Sequence, residues 1–181
     1  MMNRRKNNRF GQRLASLLLA LCMLAGMVSV TAPKAEAASA ESEMELYLEK
    51  LVEWGVMRGY PDGDLKPNGD ITRAEFFAMV NRAYGYKEKG TIPFEDVFVS
   101  DWYYDDICIA YNMGYLTGTT AKTASPRGNL TREQAVVLLG RILMLEEQPG
   151  EVLDFIDGRQ FSDYSRGYMN AALDAGIMIL S

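Results

Sequence analysis

The chain has 181 residues, no histidine, and 24 acidic against 19 basic residues, which gives a net charge of −5. An acidic chain argues against nucleic acid or an anionic membrane as the main partner, because both require a basic protein surface. Without histidine, a Ser-His-Asp triad, a Cys-His pair and a histidine-ligated zinc site are excluded.

The first 37 residues have the order of an export signal. Basic residues within 4–13 precede an apolar run over 14–30, and Ala35 and Ala37 form a cleavage site of the A-x-A kind. The run of 17 residues is short for a bilayer span, so an uncleaved anchor is the less favoured interpretation. We expect a mature chain from about Ala38, with 13 basic and 23 acidic residues and no stable membrane anchor.

The mature chain begins with a predicted helix. Its apolar stripe consists of Leu48, Leu51, Val52 and Val56. The glycines at 55 and 59 then end the helix and open a loop rich in turn residues.

The loop at residues 64–75 can also be aligned with a calcium-binding EF-hand loop, with Asp64 at position 1 and Glu75 at position 12. Lys66 stands where a ligand is needed, and a cation in the cage repels calcium. We therefore disfavour a metal site and expect no cofactor.

A shift of 59 residues reveals an internal repeat. The stretch "RGYPDGDLKPNGDITRAEFFAMVNR" aligns with "TGTTAKTASPRGNLTREQAVVLLGR", and a third, partial copy begins at "FSDYSRGYMNAALDAGIM". The second copy has Thr123, Arg127, Asn129 and Gln134 at the positions of the supposed calcium ligands, and none of these residues is acidic. The positions that are the same in both copies must therefore have a role other than calcium binding.

Both copies contain a capping box that predicts the start of a helix. Thr72 and Glu75 stand at the N-cap and N3 positions of the first copy, and Thr131 and Gln134 at those of the second. Apolar residues recur at helical spacing beyond each box and predict a wide buried face.

Another helix is predicted between the two boxes. Asp101 is its expected N-cap, and the helix runs from Trp102 to Met113 before Gly114. Trp102, Ile109, Ala110 and Met113 are expected to point inward.

An arginine follows each N-cap, as Arg73 and Arg132. A cation at this position faces the positive end of the helix dipole, which is unfavourable by a few tenths of a kcal/mol. A neighbouring carboxylate such as Asp70 could offset this cost. An external anion, held by the guanidinium and by free helix N–H groups, could do the same. The residues alone leave these two interpretations equal.

The stretches "GDITRAEFFAMVNRAYGY", "GNLTREQAVVLLGRIL" and "FEDVFVSDWYYDDICIAYNMGYLTG" resemble the S-layer homology domain, whose units run F-x-D, W, G-x-x-x-G and T-R-A-E. The resemblance implies an all-α fold of helix-loop-helix units packed with approximate threefold symmetry. It divides the chain into a signal (1–37), a short linker (38–43), unit 1 (44–90), unit 2 (91–150) and a partial unit 3 (151–181). Unit 1 lacks F-x-D, and the chain stops before the T-R-A-E of unit 3, so we expect a fragment of a longer protein.

The resemblance also implies a function, which is non-covalent anchoring of an exported protein to the bacterial cell wall or S-layer. Its implied partner is a secondary cell wall polymer bearing pyruvylated N-acetylmannosamine, bound in grooves between units. Arg73 and Arg132 would bind the acidic sugar, and Thr72 and Thr131 would shape the helix ends beside it. Trp102 would lie at the groove, with a core position as the alternative.

Two further expectations follow from the resemblance. Asp96 and Asp163, the aspartates of F-x-D, are expected to be structural. No catalytic group is expected, since adjacent acidic residues on a helix point apart. The alternatives are the anchor fragment of a surface glycan-active enzyme and a protein–protein interaction module.

Overall fold

A computed structural model describes residues 45–67, 69–150 and 161–177. Within these ranges the chain forms five helices and no β-strand, which confirms the predicted all-α class. The helices are α1 (45–53), α2 (Arg73–Tyr84), α3 (Tyr104–Asn112), α4 (Arg132–Ile142) and α5 (Asp163–Asp174). The predicted export signal and linker lie outside the described residues, and the approximate threefold symmetry stays a prediction. None of the described helices is long and apolar enough to cross a bilayer.

Helix α2 begins at the predicted capping box. Thr72 Oγ1 accepts a hydrogen bond from Glu75 N at 3.3 Å, and Glu75 Oε2 accepts one from Thr72 N at 2.8 Å. The helix ends at Gly85, whose φ of 70° is left-handed and suits glycine. The start of this helix was therefore predicted from the sequence, whereas its end at Gly85 was not.

Helix α4 begins with only half of its predicted box. Thr131 Oγ1 accepts a hydrogen bond from Gln134 N at 3.2 Å, as expected. The Gln134 side chain has a different partner, since its Oε1 accepts a hydrogen bond from Arg73 Nη1 at 3.2 Å. The Gln134 side chain thus links unit 2 to unit 1.

Helix α3 starts later than predicted, and Asp101 is not its N-cap. Asp101 Oδ2 accepts a hydrogen bond from Phe98 N at 2.9 Å and closes the preceding turn, while Tyr103 takes the N-cap position. Trp102 therefore precedes the helix and is 62% exposed, so the expectation that it points inward was wrong. Met113, the C-cap, is likewise exposed, whereas the predicted Ile109 and Ala110 are buried.

The main core joins the first four helices. Its buried members include Leu51 of α1, Phe76 and Phe77 of α2, Ile107 of α3 and Leu138 of α4. Leu48 and Val56 are buried as predicted, but Val52 is exposed because it lies about 100° around the helix from Leu51.

A smaller apolar cluster joins α4 to α5, formed by Val136, Val137, Tyr168, Met169 and Ala172. Burying apolar side chains of this size contributes about 1.5–3 kcal/mol each. This cluster therefore helps to attach the described part of unit 3 to unit 2.

The loops of units 1 and 2 meet at equivalent positions. Leu130 N donates to Ile71 O at 2.8 Å, and Asn129 Nδ2 donates to Asp70 Oδ2 at 2.8 Å. In both pairs the partners stand 59 residues apart, which is the repeat shift. The contact sets unit 2 directly beside the loop of unit 1.

Candidate functional site

A cavity of about 380 Å³ lies where unit 1 faces unit 2. Its walls come from the unit 1 loop, one face of α2 and the side chain of Trp102. The polar side chains that line it belong to Arg58, Tyr60, Lys66, Asp70, Glu75 and Arg82.

The two carboxylates of the cavity wall already have donors. Glu75 Oε1 accepts a hydrogen bond from the Tyr60 hydroxyl at 2.7 Å, and its Oε2 accepts from Thr72. The hydrogen bond to Glu75, followed by burial, raises the pKa of Tyr60 to about 12. Asp70 accepts from Asn129 Nδ2. The acidic groups therefore keep their negative charge but are held in place by hydrogen bonds within the protein.

The cations of the cavity wall are less completely paired. Lys66 Nζ lies 3.8 Å from Asp62 and 4.2 Å from the centroid of the Tyr60 ring. Arg82 Nη1 donates to Val56 O at 3.1 Å. Burial, and next the nearby charge of Arg58, lower the pKa of Arg82. Two guanidinium groups therefore share one part of the wall.

Trp102 gives the cavity an aromatic surface. Its ring meets that of Tyr103 edge to face, with centroids 5.3 Å apart, and the side chain is largely exposed. Of the predicted ligand and cap residues, Trp102 and Glu75 line the cavity, whereas both Thr-Arg pairs and Gln134 do not. The core alternative for Trp102 is thereby excluded, and its contact with a ligand stays a prediction.

Arg73 is buried between the units. Only 5% of it is exposed; its Nε donates to Ala124 O at 2.9 Å, and its Nη1 bonds to Gln134. Its guanidinium also lies 5.4 Å from the centroid of the Phe77 ring. Burial lowers the pKa of Arg73. The side chain thus ties the start of α2 to unit 2.

The backbone at the start of α2 is also bonded to unit 2. Arg73 N donates to Gly128 O at 3.0 Å, and Ala74 N donates to Pro126 O at 2.9 Å. These carbonyl oxygens offset the positive helix end. At α2, Asp70 bonds to Asn129, these two N–H groups are bonded to unit 2, and the nearby charge of Asp96 favours the charged form of Arg73. Ligand contact by Arg73 stays a prediction.

The start of α4 differs from that of α2 because it faces α5. Thr131 and Arg132 are exposed there. Glu133 accepts hydrogen bonds from Ser162 N and Ser165 Oγ, both at 3.3 Å. The same chemical position is therefore buried in unit 1 and solvent-accessible in unit 2.

Asp96 organises the loop on which Arg73 docks. Its Oδ1 accepts from Ala124 N at 2.9 Å, and its Oδ2 accepts from Ser125 N at 2.8 Å. Asp163 has no such position; its side chain is 94% exposed and lies 3.2 Å from Arg166. The structural role expected from F-x-D thus describes Asp96, but not Asp163.

Sequence reasoning missed Arg58, Tyr60 and Arg82. Tyr60 belongs to the "GYPDG" turn, which signalled a loop but no binding surface. The loop of the alternative calcium alignment folds into local turns, in which Asp64 Oδ1 accepts from Lys66 N at 2.9 Å. Within the described ranges, no group of three or more His, Cys, Asp or Glu residues could hold a metal ion.

Comparison with known proteins matches the S-layer homology domain at residues 39–77 and 93–136. The chain is 29% identical to the "Surface-layer 125 kDa protein" of Lysinibacillus sphaericus over 131 residues, which are 72% of this chain and 11% of that protein. It is 31% identical to the "Amylopullulanase" of Thermoanaerobacterium thermosulfurigenes over 136 residues, 72% of this chain and 7% of that protein.

A third relative is the "Cellulosome-anchoring protein" of Acetivibrio thermocellus, 41% identical over 63 residues, which are 34% of this chain and 14% of that protein. The chain thus spans 7% to 14% of the length of these three relatives. The two matched segments contain α1 with the start of α2, and α3 with the start of α4. The chain therefore contains S-layer homology domain segments at residues 39–77 and 93–136.

Proposed function

We propose that this chain anchors an exported protein non-covalently to the bacterial cell wall by binding a secondary cell wall polymer with an acidic, pyruvylated sugar. The observation that carries the proposal is the cavity between two matched units, which is lined by an exposed Trp102 and by two guanidinium groups. An aromatic face packs on the apolar face of a sugar ring, and guanidinium groups bind carboxylates.

The relatives support this function and the location it requires. Their names include surface-layer proteins and a "Middle cell wall protein", which agrees with export to the wall or S-layer surface. Others are named as glycan-active enzymes, but the chain covers only 7% of the amylopullulanase and 12% of an "Exoglucanase XynX". The shared part is the binding module of these proteins rather than their catalytic domains.

We assign the two T-R sites different parts in binding. Arg132 is exposed at the first position of α4, beside Thr131, and we assign it to contact with the polymer. Arg73 and Thr72 hold the unit 1 helix against unit 2 and so preserve the groove. An enzyme carried elsewhere in the full protein is the second candidate, as the cargo of this anchor, since several relatives have enzyme names.

Co-sedimentation with purified Gram-positive cell walls tests the proposal. The chain without its export signal is expected to bind intact walls and to lose this binding once the secondary polymer is extracted. Arg132→Ala should weaken binding. The control Lys89→Ala removes one exposed charge that is paired with Asp105 at 3.0 Å, and should not weaken it. Undiminished binding to extracted walls would contradict polymer recognition and favour a protein partner.

A further inference from the structure

The charged positions of the cavity wall are not repeated in unit 2. A shift of 59 residues replaces four charged lining residues with neutral ones. The pairs are Arg58 with Thr117, Lys66 with Ser125, Asp70 with Asn129, and Glu75 with Gln134. Arg82 keeps its chemistry, because Arg141 stands at the equivalent position. The two units thus share a framework but differ in electrostatics.

The arginine that is present in both units, Arg82 in unit 1 and Arg141 in unit 2, has a different neighbour in each. In unit 2, Arg141 Nη1 donates to Thr117 Oγ1 at 2.9 Å. In unit 1 the residue equivalent to Thr117 is Arg58, and its charge acts unfavourably on Arg82. A hydrogen bond in one unit is therefore replaced by like-charge repulsion in the other.

Among the described residues, no direct ion pair relieves this repulsion. Within the described part of the chain, neither Arg58 nor Arg82 forms an ion pair. Asp106 opposes the repulsion at a distance, but its Oδ1 accepts a hydrogen bond from Asn81 Nδ2 at 2.9 Å. Two like charges placed together beside an open cavity are stabilised when an anion binds between them.

We propose that Arg58 and Arg82 together bind the acidic group of the wall saccharide, so that the unit 1 cavity is anion-selective and the equivalent positions of unit 2 are not. Arg58 sets the preference for a charged over a neutral sugar, and Trp102 supplies the surface for the sugar ring. The inference rests on the proposed function and gives its acidic ligand a specific site.

The proposal can be tested by replacing Arg58 with the residue that stands at the equivalent position of unit 2. Arg58→Thr gives unit 1 the residue that unit 2 carries at this position. The signal-free chain is titrated calorimetrically with an N-acetylmannosamine glycoside bearing a pyruvyl ketal, and with the methyl ester of the same ketal. The native chain should prefer the acid. Arg58→Thr should weaken acid binding by about tenfold or more, as expected for a lost hydrogen bond to a charged group, and leave ester binding unchanged.

A matched variant separates a local contact from overall charge. Lys122→Thr also removes one cation, but Lys122 lies outside the cavity and pairs with Glu95. It should bind the acid as the native chain does. Thermal melting should show no loss of stability in Arg58→Thr, since the substitution removes a repulsion.

The outcomes distinguish this inference from the proposed function. Native-like acid binding by Arg58→Thr, or an equal loss in Lys122→Thr, overturns the role of Arg58 while polymer anchoring stands. Equal affinity of the native chain for acid and ester also overturns it. A native chain that binds neither saccharide nor intact walls refutes the anchoring function itself.

Discussion

The buried position of Arg73 leads to a prediction about stability. Arg73→Ala removes a side chain that is 95% buried and that bonds to Ala124 O and to Gln134 Oε1. Because both partners belong to unit 2, the substitution breaks one of the side-chain links between the units while leaving the Thr72 cap intact. We expect lower stability rather than a local loss of binding.

The contacts give the size of the effect. A hydrogen bond from a charged donor contributes about 1.5–3 kcal/mol, and a buried acceptor left without a donor costs about 1–3 kcal/mol. Burial of the guanidinium opposes folding, as the direction of its pKa shift indicates, so the contributions do not simply add. We expect a net loss of about 2–4 kcal/mol, or a fall of about 6–12 °C in the melting temperature for a chain of this size.

The equivalent arginine of unit 2 is the matched control. Arg132 is exposed, and exposed charges contribute about 1 kcal/mol or less even when paired. Melting followed by circular dichroism at 222 nm should therefore give a lower melting temperature for Arg73→Ala than for Arg132→Ala. In the wall co-sedimentation assay, Arg132→Ala should instead bind more weakly than Arg73→Ala. Equal melting temperatures for the two variants would refute the structural role of Arg73.

Coupling with Asp96 tests the route by which Arg73 acts. Asp96 bonds to Ala124 N and Ser125 N, while Arg73 bonds to Ala124 O. Because both hold the same loop, a double-mutant cycle of Asp96→Ala and Arg73→Ala should give a coupling of about 0.5–3 kcal/mol. Strict additivity would show that the two side chains stabilise separate parts of the fold.

Two further predictions concern the cavity wall and the attachment of α5. Tyr60 has a pKa raised to about 12 by its hydrogen bond to Glu75, so its neutral form is favoured in the folded chain. Its stabilisation is complete below pH 10 and should be lost as the pH rises to about 12. Tyr60→Phe should show a shallower loss of stability across that window in denaturant titrations. Gly140→Ala places a Cβ 2.3 Å from Tyr168 Cδ1, so it should destabilise the chain by about 1–3 kcal/mol and speed amide exchange in α5. Unchanged exchange in α5 would contradict this packing.

The sequence predicted what local signals determine. The start of α2 follows from Thr72 and Glu75, which lie within one helical turn of each other, and the apolar period predicted the buried face behind them. The box at α4 was predicted only in part, because the Gln134 side chain bonds to Arg73, which lies 61 residues away. No local pattern reports a partner at that separation.

How much of the candidate site could be predicted also depended on whether its residues are placed by local or by long-range contacts. Trp102 was identified from the family pattern, but its exposure depends on Asp101, which closes the preceding turn and so delays the start of α3. Arg58 and Arg82 are 24 residues apart and belong to a loop and a helix that meet only in the folded chain. Neither arginine is unusual in the sequence, because each would ordinarily be interpreted as a surface residue.

Comparison of the two units now separates framework from specificity. The Thr-Arg pair is retained in both units, but it caps a helix and joins units in unit 1, whereas its arginine is exposed in unit 2. Four positions that line the cavity change from charged groups in unit 1 to neutral ones in unit 2, while the arginine of Arg82 is retained. A fold can keep its motif unchanged while each copy acquires its own ligand chemistry, because the positions that line the cavity vary independently of the motif. The search for ligand selectivity in this chain therefore belongs at Arg58 and the residues around it rather than at the repeated motif alone.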